Sequence, residues 1–147
     1  FPIFDDLREH VIDAGKAAGN GDQVGTVLYN RGLYAAMLAA EATKKAQEIH
    51  GEADITPAMM RDGMEALEIT AARLEELGMA GISPEFAVSC SDHGGAGQAV
   101  VLQWDAGAGT WNTLTDYIQS DASVIDPLIE ADSTAYAEEN GITPGCS

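Results

Sequence analysis

The stretch that decides the fold runs from Thr26 to His50 and reads TVLYNRGLYAAMLAAEATKKAQEIH. Alanines alternate along it with leucine, methionine and isoleucine, and alanine is the best intrinsic helix former. Two Glu–Lys pairs with a spacing of four residues lie on its polar side, where such pairs stabilise a helix. The stretch therefore predicts one long, closely packed helix that ends at Gly51.

Further helices are predicted on both sides of this one. Residues 5–14 have a helical pattern that a glycine-rich loop, residues 15–25, brings to an end. Thr56 followed by Pro57 is a helix start signal, because the hydroxyl caps the first turn and proline has no N–H to satisfy there. Residues 71–77 predict another short helix.

After Pro84 the pattern changes to the alternation of β-strands. Residues 100–104 and 111–118 flank a glycine-rich turn, which predicts a hairpin. Trp104 and Trp111 lie symmetrically about the turn, so we expect a cross-strand contact between the two indoles. A last helix is predicted to open at Pro127.

Composition limits the function classes. The chain has 147 residues and is 46% hydrophobic, which suits one domain with a core. Its 24 Asp and Glu against 7 Lys and Arg give a formal charge of -17, which excludes nucleic-acid binding through phosphate contacts. No apolar run is long enough to span a bilayer. Because the first residue is Phe1 rather than Met, we expect a processed or trimmed chain.

Cys90 and Cys146 are the two cysteines. They are too few for a disulfide-rich scaffold and lack the partners of a structural zinc site. The sequence alone leaves two interpretations of these cysteines open: one disulfide in an oxidising compartment, or two buried free thiols.

The segment SCSDHGG, residues 89–95, holds a nucleophile, an acid and an imidazole. Neighbouring residues in a strand or turn point in different directions, whereas a catalytic triad is assembled from distant parts of a chain. A polar turn with a structural cysteine is favoured. A small metal-dependent or serine hydrolase using Asp92 and His93 stays open as an alternative. The glycine runs match no nucleotide-binding motif, and the acidic residues match no calcium loop, so no cofactor and no metal are expected.

Tyr29, Asn30 and Arg31 stand near the start of the long helix, where free backbone N–H groups and the helix dipole favour an anion such as a carboxylate. The alternative is that Tyr29 and Tyr34 are packing residues and Arg31 pairs with a surface acid.

Several short segments follow one another in order along nearly the whole chain. They are VGTVLYNRG at residues 24–32 with the Ala-rich helix after it, RDGMEAL at 61–67, ARL at 72–74 with Leu77-Gly78, Ser89-Cys90 with Asp92-His93, QWD at 103–105, and Ile142-Thr143-Pro144 with Cys146. In this order and spacing they resemble the C-terminal part of periplasmic substrate-binding proteins of branched-chain amino acid type ABC transporters.

The resemblance implies an α/β fold, namely the C-terminal portion of a two-lobed type I periplasmic binding protein, made of helices plus a β-hairpin. It implies that residues 1–82 are a mainly helical segment of one lobe, and that residues 83–147 contribute the β-hairpin and terminal helix to the other lobe and the hinge. The missing N-terminal part of the parent chain would then be needed for stable folding.

The resemblance also implies a function: capture of an amino acid or a related small carboxylate or amide by hinge closure, with delivery to an ABC transporter permease. The partners would be this small-molecule ligand and the permease, the location periplasmic, and the protein not an enzyme. Tyr29, Asn30 and Arg31 would contact the ligand, with Asp92 and His93 as further candidates. The same context favours a Cys90–Cys146 disulfide. An inactive proteolytic fragment is the remaining alternative.

Overall fold

The computed structural model describes residues 1–143 and 145–146. It divides into two compact units, Phe1–Gly95 and Ala96–Ser147, which are described separately below. Pro144, part of the last segment that carried the resemblance, lies outside the described residues. The assignment of residues 1–82 and 83–147 to two lobes stays a prediction.

The first unit is mainly helical. Its elements in chain order are helix α1 (Pro2–Leu7) continued by a π-helical turn (Arg8–Ile12), α2 (Val27–His50), α3 (Pro57–Glu65), strand β1 (Glu68–Ile69), α4 (Ala71–Glu76) and β2 (Phe86–Ala87). The two strands pair antiparallel, with Ile69 opposite Phe86. The expected mixture of helices and small sheets is confirmed at this level, and every sheet among the described residues is two-stranded and antiparallel.

Helix α2 begins one residue after the start of the predicted stretch and ends at Gly51, as predicted. Thr26 is the extended N-cap residue, and Gly51 ends the helix in the left-handed conformation with φ 68°. The Gly51 N–H donates to the carbonyl of Gln47 at 2.8 Å, which satisfies one of the last free carbonyl groups. A residue other than glycine at this position would be strained.

Helix α3 packs closely on α2 through Gly63, which is buried. A Cβ at this position would collide with the Ala42 carbonyl oxygen and lie 2.8 Å from the Cβ of Ala46, so only glycine permits this spacing. The core of the unit lies beneath this contact. Its buried apolar side chains are Met37, Ala42, Ala46, Leu67, Ile69, Leu74 and Met79.

An ion-pair network joins α4 to α2. The Arg73 guanidinium donates to both carboxylate oxygens of Glu41, at 2.9 and 2.7 Å, and to Glu76 at 2.8 Å. The hydrogen bonds from Arg73 hold the pKa of Glu41 below its ordinary value, although the partial burial of Glu41 acts in the opposite direction. The carboxylate is therefore charged throughout the physiological range.

The second unit consists of two antiparallel strand pairs followed by a helix. The elements are β3 (Gln98–Ala99), β4 (Leu102–Asp105), β5 (Thr110–Thr113), β6 (Ile118–Gln119) and α5 (Ala122–Asn140). β4 and β5 form the predicted hairpin, and β3 pairs with β6 outside it.

The indole contact expected in the hairpin is confirmed. Trp104 and Trp111 are direct cross-strand partners, and their ring centroids lie 5.3 Å apart at an interplanar angle of 59°. In the turn, the Asp105 carboxylate accepts hydrogen bonds from the N–H groups of Ala108 at 3.0 Å and Gly107 at 2.9 Å. These two bonds lower the pKa of Asp105 and fix the turn that sets the strand register.

The start of the last helix was predicted wrongly. Helix α5 begins at Ala122, because the Asp121 carboxylate caps it by accepting from the Ser123 N–H at 3.0 Å. Pro127 lies inside the helix rather than at its start, so the backbone loses one internal hydrogen bond there. The Asp121 cap supplies a start signal six residues before the proline.

Cys90 and Cys146 are joined by a disulfide, as the resemblance implied. The bond closes a loop that contains all the strands of the second unit and α5.

No helix in the described part of the chain combines the length and the hydropathy that a membrane span requires.

Candidate functional site

The predicted site residues lie at two places in the first unit, and three of the five line pockets there. Asn30 and Arg31 line one pocket near the start of α2, whereas His93 lines another beside α3. Tyr29 and Asp92 are not among the lining residues of either. The predicted ligand-contacting roles of all five residues stay predictions.

The first pocket, called the Arg31 pocket below, has a volume of about 370 Å³. Apolar groups of Phe1, Val27 and Tyr34 form most of its wall, and Asn30 and Arg31 supply its polar groups. The remaining lining residues are Gly81, Ile82 and Ser83.

The helix terminus beside this pocket has no side-chain cap. The Thr26 hydroxyl donates to the Gln23 carbonyl at 2.8 Å instead of accepting from the first turn of α2. The positive end of the helix dipole is therefore not compensated by a side-chain acceptor. Arg31 is exposed and makes no ion pair with any described residue. The terminus and Arg31 together give this end of α2 a local positive character in an acidic chain.

Asn30 has an incompletely satisfied amide. Its Nδ2 donates to the Gly25 carbonyl at 3.2 Å, while its buried Oδ1 has no partner among the described residues. A buried carbonyl oxygen without a donor costs about 1–3 kcal/mol. Two polar residues therefore line the pocket: Asn30, whose amide is incompletely satisfied, and Arg31, whose exposed cation has no ion-pair partner among the described residues.

Tyr34 combines packing with its place in the pocket wall. Its ring lies 6.5 Å from that of Phe86 in a tilted contact, and it packs against the core cluster.

The second pocket, called the His93 pocket below, has a volume of about 400 Å³. Its wall is apolar and consists of Leu38, Met64, Leu67, Phe86 and Val88, while Arg61, Glu65 and His93 form its polar border. The Arg61 guanidinium is paired with Asp62 at 3.0 Å and with Glu65 at 3.9 Å. Because its cation is already compensated, this pocket suits an apolar group better than an anion.

The polar groups of the turn that carries Asp92 are used in hydrogen bonds within the turn. The Asp92 Oδ1 accepts from the Gly94 N–H at 2.9 Å, and the Ser89 N–H donates to the Asp92 carbonyl at 2.9 Å. The Ser89 and Ser91 hydroxyls lie 3.3 Å apart, and no hydrogen bond among the described residues joins either of them or Asp92 to His93. No group of three or more metal-ligating side chains occurs among the described residues. The alternative of a hydrolase using Asp92 and His93 has no support.

One charged site was not predicted from the sequence. Glu41 and Arg73 border a third cleft of about 230 Å³, whose other lining residues are Lys44, Lys45, Glu48, Leu67 and Glu68. The spacing of four between Glu41 and Lys45 was visible in the sequence, but the true partner, Arg73, is 32 residues away. Only the tertiary packing of α4 on α2 brings the two together.

No protein-family model matches this sequence, and no curated protein matches it. One solved structure is similar to it: an ABC transporter permease from the Pseudomonas fluorescens group, with a TM-score of 0.87 and 33% identity. The match covers 99% of this chain and 35% of that one. This chain therefore spans about a third of the length of the permease that it matches.

The match corrects the sequence-based assignment. It supports the relation to ABC transporters, but the matched protein is a permease. The predictions of a periplasmic substrate-binding protein, of amino-acid capture by hinge closure, and of a permease as the partner of this chain are therefore wrong.

The segments that carried the resemblance explain the error. Gly63 in RDGMEAL permits the close approach of α2 and α3, and Asp105 in QWD fixes a hairpin turn. These residues serve local packing and turn geometry, which proteins of different function share.

Proposed function

We propose that this chain forms part of a permease-type component of an ABC transporter. The observation that carries the proposal is the similarity to an ABC transporter permease over 99% of the chain at 33% identity. The TM-score over this length is 0.87. On this proposal the residues are one portion of a larger α/β protein.

The first test is association with a transporter ATPase. An affinity-tagged form of the natural gene product, expressed from its own locus and extracted in mild detergent, is expected to copurify with an ATP-binding cassette subunit in a fixed ratio. Deleting the gene is expected to abolish ATP-driven transport of one solute class. Recovery of the ATPase only at the level of an untagged strain would contradict the proposal.

Two variants provide the controls. Gly63→Leu places a large side chain where even a Cβ has no room, so it should disrupt the first unit and abolish copurification. Ser133→Ala changes an exposed side chain on α5 and should leave copurification unchanged.

We also propose that the chain performs no catalysis of its own and folds in an oxidising compartment such as the periplasm. The Cys90–Cys146 disulfide supports the location, because thiols in the cytosol are kept reduced. The structural hydrogen bonds of Ser89 and Asp92 support a role of that turn in folding rather than in chemistry.

Mass spectrometry tests the location. When the protein is extracted from its host in the presence of an alkylating reagent and without reductant, both cysteines should escape alkylation. A protein that carries two alkyl groups would rule out the oxidising compartment.

A further inference from the structure

Helix α5 exposes apolar side chains on one side of its first turns and again at Tyr136, with Asp132 on the same side. Val124, Ile125, Leu128, Ile129 and Tyr136, called the apolar stripe below, have exposed fractions between 40% and 61%. At about 100° per residue they lie on one side of the helix, with the spacing of three and four residues that helices use to enter a groove.

The second unit has no core of its own. None of its described residues is buried, and its hairpin exposes Trp104, Trp111 and Leu114 as well. Ordering a residue costs about 1–2 kcal/mol in backbone entropy, which folded proteins offset by burying apolar surface. The apolar stripe is therefore a surface that another surface must cover.

The charges of the unit restrict what covers it. All seven Lys and Arg of the chain precede residue 74, and no histidine follows His93. The second unit therefore contains carboxylates but no Lys, Arg or His. Five of these carboxylates are on α5: Asp126, Glu130, Asp132, Glu138 and Glu139. A second copy of the same surface would repel it. The complementary surface combines apolar side chains with Lys and Arg.

We propose that the apolar stripe is covered by a further segment of the same polypeptide, which presents an apolar groove bordered by Lys and Arg. The inference rests on the proposed function, since about two-thirds of the matched permease chain has no counterpart in these residues. A unit without buried residues requires a permanent partner, and a segment of the same chain is always present at high effective concentration.

Photo-crosslinking in the natural gene product tests this. A benzophenone amino acid is placed at Leu128, within the apolar stripe, and, in a matched control, at Thr134 on the opposite side of α5. After irradiation in the host, the crosslinked peptides are sequenced. We expect a crosslink from position 128 alone, within a single polypeptide, to a segment with apolar residues and an excess of Lys and Arg.

Every other result overturns the proposal. A natural product no longer than these residues leaves no segment to do the covering. A crosslink to a second copy or to another protein identifies a different occupant, and equal crosslinking at 128 and 134 removes the specificity of the stripe. The ATPase copurification described above is independent of these outcomes, so a failure here is distinguishable from a failure of the proposed function.

Charge substitutions check the mechanism. Leu128→Glu should reduce the crosslink yield from a probe at Ile125 at least tenfold, whereas Thr134→Glu should change it less than twofold. Circular dichroism is expected to show equal helix content in the two variants, and equal loss of the crosslink in both would contradict the proposal.

Discussion

At the scale of single residues, Gly63 is a position where the fold has no room for a side chain. The Ala42 carbonyl oxygen and the Ala46 backbone and Cβ occupy the space that a Cβ would need, and two of these neighbours are backbone atoms. Backbone of a 24-residue helix cannot yield as a flexible side chain can. The distance between α2 and α3 is therefore set by the absence of one methyl group.

Gly63→Ala is expected to lower the free energy of unfolding by about 2–4 kcal/mol, because overpacking at backbone contacts forces the helices apart. Denaturant unfolding followed by circular dichroism measures this. The matched control is Gly32→Ala on α2, where no atom lies within 4 Å of the new Cβ. The control should raise stability by about 0.5–1 kcal/mol through helix propensity. Equal effects of the two substitutions would refute the packing argument.

The Glu41–Arg73 pair predicts acid sensitivity. Because Arg73 lowers the pKa of Glu41 in the folded protein, the pair stabilises the fold above the ordinary glutamate pKa of 4.5. That stabilisation is lost as the pH falls through the folded-state pKa, which lies below this value. Glu41→Gln should lower stability by about 1–2 kcal/mol at pH 7 and flatten its decline below pH 4.5.

Glu76→Gln is the matched control, since Glu76 also accepts from Arg73 but its side chain is 67% exposed. Its effect should stay below about 0.5 kcal/mol because solvent screens exposed pairs. Urea unfolding between pH 3 and pH 7 provides the measurement. An unchanged pH profile for Glu41→Gln would mean that the pair contributes nothing to acid sensitivity.

At the scale of elements, the β4–β5 hairpin and α2 were predictable because each is specified locally. Turn residues lie directly between β4 and β5, and Gly51 directly follows α2. The β1–β2 pairing was not predictable, since Ile69 and Phe86 are far apart in the chain and α4 lies between them. The start of α5 was predicted at Pro127 because proline is common in the first turn of a helix. The helix starts earlier, after the Asp121 cap.

The indole pair gives the hairpin a measurable signature. Trp111→Ala should abolish the exciton signal of two coupled indoles in the circular dichroism spectrum and cost about 0.5–1.5 kcal/mol beyond the lost area. A double-mutant cycle with Trp104→Ala isolates the pairwise contribution. Leu114→Ala, also exposed and outside the pair, should leave the exciton signal intact. A signal that survives Trp111→Ala would show that the rings are not coupled.

At the scale of the whole molecule, the disulfide and the missing core of the second unit govern stability. The loop closed between Cys90 and Cys146 predicts a stabilisation of about 4 kcal/mol from the restricted unfolded chain. Since both tryptophans are in the second unit, their fluorescence reports its unfolding. Adding reductant should therefore lower the midpoint of the fluorescence transition. The double variant Cys90→Ser/Cys146→Ser should reproduce the lowered midpoint without reductant and be insensitive to it.

The candidate site shows why function was harder to predict than fold. The position of Arg31 near the N-terminus of α2 could be predicted, because a helix start depends on neighbouring residues only. The Arg31 pocket also needs Phe1 and Ile82, which are distant in the chain, and the partner of Arg73 is equally distant. The sequence-based function rested on segments such as RDGMEAL, whose residues serve packing. Proteins of different function can share such packing segments, so the segments did not identify the function of this chain.

The confinement of every Lys and Arg to the part of the chain before residue 74 has a consequence for handling the protein. Trypsin cuts only after these residues, so the sequence offers it no site between Leu74 and Ser147, and both cysteines lie on one large acidic peptide. The disulfide is then an internal bridge of a single peptide, and reduction adds the mass of two hydrogens without dividing it. Conventional tryptic mapping will therefore miss the second unit unless a protease that cuts at acidic residues is used.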